Sequence, residues 1–286
     1  VLATVFALAN KDMEKVKAEF MAFDFSLFSD NQLSEETINA VYFRLGINNE
    51  EKVLSKLIDP VLAHFCQGKH RITFKQLYEQ TRIHLCIRSV DLLQGASVHF
   101  NHETSPDKTV RSALCASCSI PWFSEPGMDG NNKYLIDGGV LANVDPNCFS
   151  QHRGCKPKNT LCIFVEKEWS EMLGKFHQHL SNVAATGQVR DEDTLSTHLS
   201  VALSVMLVAS VRLQRLACAS IEDKNKIRIQ IDGHSNFIDT TDMEKRKQEM
   251  VGNGENIVRV DKVYEQFARL LLSISAIHHI AAQQCK

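Results

Sequence analysis

Asp137 ends a short apolar segment and is followed at once by Gly138 and Gly139, so its carboxylate lies on a sharp change of chain direction. A carboxylate in such a place can act as a general base if partial burial raises its pKa towards neutrality. Asp-Gly and Gly-Gly pairs also form ordinary turns, because glycine tolerates positive φ angles. The pattern alone therefore leaves two interpretations open, a structural turn and a catalytic base.

A general base of this kind needs a nucleophile, and a serine hydroxyl attacks an ester only when a base takes its proton. Serine hydrolases often hold that serine in a G-x-S-x-G turn between a strand and a helix. Residues 95–99 and 233–237 begin this way, but both lack the closing glycine and neither precedes a helical pattern. No histidine has a triad-like motif around it. The nucleophilic serine is therefore not expected within this chain.

The segments that must position Asp137 alternate between helical and strand patterns. Helices are predicted to start at Ser34 and Asn48 and to cover 73–81, 109–117 and 262–282, and strands to cover 84–90, 96–100, 160–165 and 227–231. Such alternation predicts an α/β fold with a mostly parallel sheet covered by helices on both faces. Without a repeat or a convincing linker, the sequence predicts a single domain over residues 1–286.

Composition narrows the function classes. Hydrophobic residues make up 44% of the chain and the net charge is −2, which is ordinary for a globular protein and gives no reason to expect nucleic acid as a partner. Nine cysteines, several of them within apolar runs, predict reduced thiols in an intracellular protein. Residues 199–211 carry no charge, but a bilayer span needs about 20 apolar residues, so this stretch predicts a buried helix.

The stretch from 116 to 146 resembles the second catalytic block of patatin-like acyl hydrolases. It contains Ala-Ser-Cys-Ser-Ile-Pro at 116–121, Phe123, Pro126, Tyr134-x-x-Asp137-Gly138-Gly139 and Asn143-x-x-Pro146. Segments 72–81, 98–107 and 237–242 fit the same family in the right order. The resemblance implies a three-layer α/β fold with a mostly parallel central sheet. Residues 1–9 resemble the helix that follows the nucleophile elbow, which implies that the first strand and the elbow are missing.

The same resemblance implies a function. Asp137 would be the general base of a Ser-Asp dyad that hydrolyses fatty-acyl esters of phospholipids or related lipids, with its serine upstream of this chain. Pro121, Trp122 and Phe123 would contact the substrate, although Trp122 stands where smaller residues are usual. The family implies no cofactor and no metal. Peripheral membrane contact and a cytoplasmic location are expected.

Two alternatives of other classes remain open. The chain could belong to a non-catalytic, lipid-binding relative that lacks the serine altogether. It could instead be a metal-stabilised interaction domain, since Cys115-x-x-Cys118 together with Cys148, His152 and Cys155 has the residue types of a zinc site.

Overall fold

The computed structural model of the chain describes most of its first half and shorter parts of the second. The described residues are 18, 21–22, 39–40, 43–130, 133–141, 144–146, 148–149, 160, 162–167, 206, 209–210, 212–221 and 226–231. They fall into two compact units, the first containing residues 1–143, 176–215 and 238–240, and the second the remainder. Two units do not decide the number of domains, so the single domain over 1–286 stays a prediction.

A four-stranded sheet forms the centre of the first unit. Its strands, in spatial order, are β3 (Ala96–Phe100), β2 (Ile87–Asp91), β6 (Lys133–Asp137) and β5 (Gly127–Asp129). Every neighbouring pair in this sheet is antiparallel. The register places Ser89 of β2 directly opposite Asp137, the last residue of β6.

The α/β class is therefore confirmed, whereas the mostly parallel sheet was wrong for this four-stranded sheet. The physical reason lies in the connections: residues 92–95 join β2 to β3, and residues 130–132 join β5 to β6. Loops this short can only close hairpins, because a parallel pair needs a crossover of a dozen or more residues. Parallel pairing does occur between β1 (Gly46–Asn48) and β4 (Trp122–Ser124).

Three helices between residues 50 and 117 share a hydrophobic core with the sheet. Helix α1 covers Glu50–Phe65, α2 covers Phe74–Thr81 and α3 covers Val110–Ser117. The side chain of Thr73 caps α2 through a reciprocal pair of hydrogen bonds with Gln76, and Thr109 caps α3. The predicted segments 73–81 and 109–117 are therefore confirmed as helices.

The hydrophobic core lies where α3 packs against β2 and β6 and α1 packs against α3. Apart from Ile72, which precedes α2, its largest fully buried members come from the three helices and the strands: Leu62, Phe74, Leu77, Phe100, Val110, Leu114 and Leu135. Leu135 and Ile136 are consecutive in β6 and both are buried. Since neighbouring side chains of a strand point to opposite faces, the sheet is covered on both faces at β6.

The second unit contains the parallel pair of β7 (Cys162–Lys167) and β8 (Lys226–Ile231). These strands confirm the segments predicted at 160–165 and 227–231. Cys162, Cys218 and Ile221 form a small buried cluster against which Val144 packs. In the part of the chain that the structure describes, no helix is long and apolar enough to cross a membrane.

None of the seven described cysteines forms a disulfide. Cys66 belongs to the main core, and burial raises the pKa of its thiol to about 11. In the second unit burial likewise raises the pKa of Cys162 to about 11. Thiols with such pKa values behave as small hydrophobic side chains rather than as nucleophiles.

Truncating Leu135 should test the packing of the sheet against α3. Leu135→Ala is expected to lower the free energy of unfolding by about 2–5 kcal/mol. The Leu135 side chain is only 1% exposed, so removing its outer atoms leaves a cavity in the core. Leu93→Ala removes the same atoms from a side chain that is 71% exposed and should change stability by less than about 0.5 kcal/mol. Urea denaturation measures both. Equal losses would show that Leu135 is not a core residue.

Candidate active site

Asp137 lies at the carboxyl end of β6, where the strand passes directly into a single 3-10 turn, Gly138–Val140. Its carboxylate oxygen Oδ1 accepts a hydrogen bond from the backbone N–H of Gly139 at 2.6 Å. Among the described residues, this is the one hydrogen bond that the carboxylate receives. The second oxygen, Oδ2, can therefore accept a proton from an incoming hydroxyl.

The environment of Asp137 favours the protonated form of its carboxyl group. Burial raises the pKa of Asp137 above its ordinary value of 3.8, while the N–H of Gly139 acts in the opposite direction and is outweighed. A carboxylate whose pKa has moved upwards holds a proton more strongly, as a general base near neutral pH requires. The electrostatics of this position therefore suit proton transfer better than those of an exposed turn would.

Gly138 is required by close packing, not by an unusual backbone angle. A Cβ atom at this position would lie 2.6 Å from the backbone oxygen of Arg88 in the neighbouring strand. Neither Gly138 nor Gly139 has a positive φ angle. The interpretation of Asp-Gly-Gly as a turn that needs positive φ is therefore wrong, because the first glycine instead allows two backbones to touch.

A hydrogen bond joins the two halves of the 116–146 stretch. The backbone N–H of Asp137 donates to the carbonyl oxygen of Ser119 at 2.8 Å. Ser119 is itself buried, and its hydroxyl donates to the carbonyl oxygen of Cys115, one turn back in α3. The end of α3 and the end of β6 are thus fixed to each other.

The predicted substrate-binding residues follow directly after this junction. Pro121 and Trp122 are half-buried, and Trp122 adopts a left-handed backbone with φ of 66°. That conformation is strained for a bulky residue. The backbone of Phe123 lies in β4, but its side chain is outside what the structure describes. The contribution of these three residues to substrate binding stays a prediction.

Two serines that support the site were not identified from the sequence. Ser89 is fully buried opposite Asp137, and its hydroxyl donates to the carbonyl oxygen of Ile136 at 2.6 Å. Ser210, also buried, donates its hydroxyl to the carbonyl oxygen of Gly139. The sequence signal that could have identified them is a serine within a mainly apolar segment: Ser89 in β2 and Ser210 in the uncharged segment 199–211. The segment 199–211 was predicted as a buried helix, and its described residues are helical.

The cysteines of the alternative zinc site, Cys115, Cys118 and Cys148, do not form a metal cluster in the described residues. One group of three possible ligands is found there, consisting of His84, His102 and Glu103. Neither Asp137 nor Cys115 nor Cys118 belongs to it. His152 and Cys155 lie outside the described residues.

Comparison with known proteins now identifies the family. Residues 1–146, just over half of the 286, match the family model described as patatin-like phospholipase. The chain belongs to the patatin-like phospholipase family. The match includes the four-stranded sheet, Asp137 and both glycines, and it ends at Pro146, before the resemblance noted at 237–242.

Other comparisons add little to the patatin-like assignment. The crystal structure of VipD from Legionella pneumophila is similar to this chain with a TM-score of 0.36 and 16% sequence identity. The similarity covers 91% of this chain and 50% of VipD, so the chain spans about half the length of that protein. No curated protein matches the chain.

Adding a methyl group at Gly138 should disrupt the contact between β2 and β6. Gly138→Ala is expected to lower the free energy of unfolding by about 1–3 kcal/mol, because its Cβ would overlap the backbone of Arg88. Gly130→Ala is the matched control, since a Cβ there would meet no atom within 4 Å. Chemical denaturation compares the two. If Gly138→Ala is as stable as the control, the close approach is absent.

The raised pKa of Asp137 should appear as a pH-dependent stability. The folded protein binds the Asp137 proton more tightly than the unfolded chain does. The resulting stabilisation is fully present at pH values below the ordinary aspartate pKa, and it is lost as the pH rises through the raised pKa of the folded state. Asp137→Asn cannot ionise. Between about pH 4 and neutrality, the unmodified protein should therefore lose stability relative to this variant. Denaturation at several pH values measures the difference, and an opposite slope would mean that folding favours the carboxylate.

Proposed function

We propose that this chain is part of a lipid acyl hydrolase of the phospholipase A type in which Asp137 is the general base of a Ser-Asp dyad. The observation that carries the proposal is the partly buried Asp137 carboxylate with its raised pKa, held at a strand end within the segment that matches the family. Family membership supports the reaction class. The position of Asp137 supports its role.

The serine of the dyad is proposed to lie outside these residues, because the chain has no G-x-S-x-G motif. Two described serines beside Asp137 are poor substitutes: Ser89 lies opposite it in β2, and the carbonyl oxygen of Ser119 accepts from its backbone N–H. Ser89 and Ser119 are fully buried, and both hydroxyls already donate to backbone carbonyl oxygens. A hydroxyl held in this way can neither reach an ester nor transfer its proton to Asp137.

The proposed reaction has two steps. The serine oxygen bonds to the acyl carbon while Asp137 takes the hydroxyl proton, and the bond to the alcohol breaks as that proton passes to the departing oxygen. A water molecule then attacks the acyl-serine and gives its proton to Asp137, which returns it to the serine oxygen as the fatty acid leaves. Backbone N–H groups would stabilise the negative oxygen in both steps.

The finer features of the proposal concern substrate and surroundings. The substrate would be a phospholipid or another fatty-acyl ester, contacted by Pro121, Trp122 and Phe123. The protein would act in the cytoplasm with peripheral membrane contact, and no metal or other cofactor would take part. The burial of β6 on both faces supports a three-layer arrangement.

Labelling with a fluorophosphonate probe tests the dyad directly in the full-length natural gene product. The probe should attach to one serine in a G-x-S-x-G motif outside the 286 residues. Asp137→Asn should slow labelling and ester hydrolysis by about 10²–10⁴-fold, because it removes the base. Asp107→Asn, a neutralised carboxylate on an exposed loop, should leave both rates unchanged.

The site of the adduct decides between the candidate functions. The hydroxyl of Ser97 accepts a hydrogen bond from Arg88. An adduct on Ser97 would show that the nucleophile lies within the 286 residues, contrary to the proposal. A well-folded protein without any adduct would instead favour a non-catalytic lipid-binding relative. Equal activity of Asp137→Asn and Asp107→Asn would exclude Asp137 as the base.

A further inference from the structure

Three possible metal ligands meet beyond the open end of the hairpin formed by β2 and β3. Ile87 and Phe100 are the last paired residues at that end. His84 lies just before the pair in the chain, while His102 and Glu103 follow it in a turn. One ligand atom from each of the three residues lies within 4.8 Å of the others.

The turn that carries His102 and Glu103 is fixed by its own hydrogen bonds. The Asn101 side-chain oxygen Oδ1 accepts from the backbone N–H groups of Glu103 at 2.8 Å and Thr104 at 2.9 Å. The hydroxyl of Thr104 donates to the carbonyl oxygen of His99 at 2.7 Å. The two candidate ligands of the turn are therefore attached to an ordered backbone.

Ring contacts orient the imidazole of His102, but one of its nitrogen atoms lacks a hydrogen-bond partner among the described residues. The ring of Tyr78 stacks on it with centroids 3.7 Å apart and an angle of 6°, and His84 contacts it edge to face. Its Nδ1 atom is buried and has no hydrogen-bond partner in the described part of the chain. Its Nε2 atom is 3.9 Å from the carboxylate of Glu103, beyond hydrogen-bond range. Buried imidazole nitrogens normally have a partner.

We propose that His84, His102 and Glu103 bind one zinc ion. Two imidazole nitrogens and one carboxylate match the ligand preference of zinc, whereas calcium and magnesium prefer oxygen ligands alone. Zinc bonds of about 2.0–2.1 Å in a tetrahedron place ligand atoms roughly 3.4 Å apart. The cluster needs to contract only modestly to reach this spacing. The side chain of Glu103, 57% exposed, can supply that movement.

The proposed ion has a structural role, independent of the acyl-hydrolase proposal. It would join the segment between α2 and β2 to the turn after β3, closing the open end of the hairpin. Asp137 is not part of the cluster, so the ion would not take part in the proposed proton transfer. Zinc should therefore raise the melting temperature of the chain.

A competition titration between the metal-free, reduced chain and a chromophoric zinc chelator tests the site. We expect one equivalent of zinc to bind with at least micromolar affinity. His84→Gln and His102→Gln should each weaken binding at least tenfold and abolish the rise in melting temperature. His70→Gln, which removes an exposed histidine outside the cluster, should bind zinc like the unmodified protein.

Cobalt substitution separates this site from zinc bound by cysteines. Cobalt at the proposed site should show a tetrahedral visible spectrum without a thiolate charge-transfer band. If the histidine variants fail to fold by circular dichroism, Glu103→Gln decides, because this exposed change should leave the fold intact and weaken binding at least tenfold. No zinc binding at micromolar concentration, a thiolate band, or full affinity in the Glu103 variant would each overturn the proposal.

Discussion

The candidate site depends on the close approach of two backbones at the edge where β6 ends beside β2. Gly138 contacts the carbonyl oxygen of Arg88 so closely that no side chain can stand between them. This contact sets where β6 stops and where the 3-10 turn begins. The 3-10 turn then places the backbone N–H of Gly139 within hydrogen-bond distance of the Asp137 carboxylate. The position of the acid is thus fixed by packing on one side and by a hydrogen bond on the other.

The surroundings of Asp137 combine rigidity with an unfavourable environment for charge. Ser89 and Ser210 donate their hydroxyls to the carbonyl oxygens of Ile136 and Gly139, on either side of Asp137, so both hydroxyl protons are already engaged. Among the described residues, the carboxylate accepts one hydrogen bond, from the N–H of Gly139, and its partial burial disfavours the charged form. An ionised carboxylate in this position lowers the stability of the fold but is suited to proton transfer, a combination that is typical of functional sites.

Local features of the fold could be predicted from the sequence, whereas contacts between distant segments could not. Helices α2 and α3 follow from Thr73, Gln76 and Thr109, whose capping bonds span only three residues. Asp137 was identified because its motif is continuous in the chain. The antiparallel order of the sheet was missed, since the alternation of helices and strands suggested crossovers where short hairpin loops occur. The pairing of Ser89 with Asp137, and of His84 with His102, depends on register, which no local pattern encodes.

The burial of Cys66 has a consequence for how the protein withstands oxidants. With a pKa of about 11, only about one thiol in 10⁴ is ionised at pH 7, and sulfenic acid formation proceeds through the thiolate. Peroxide would therefore modify exposed sulfur atoms long before this one. The interior between α1 and the sheet can pass through oxidative stress without gaining a polar, bulkier sulfur group at its centre.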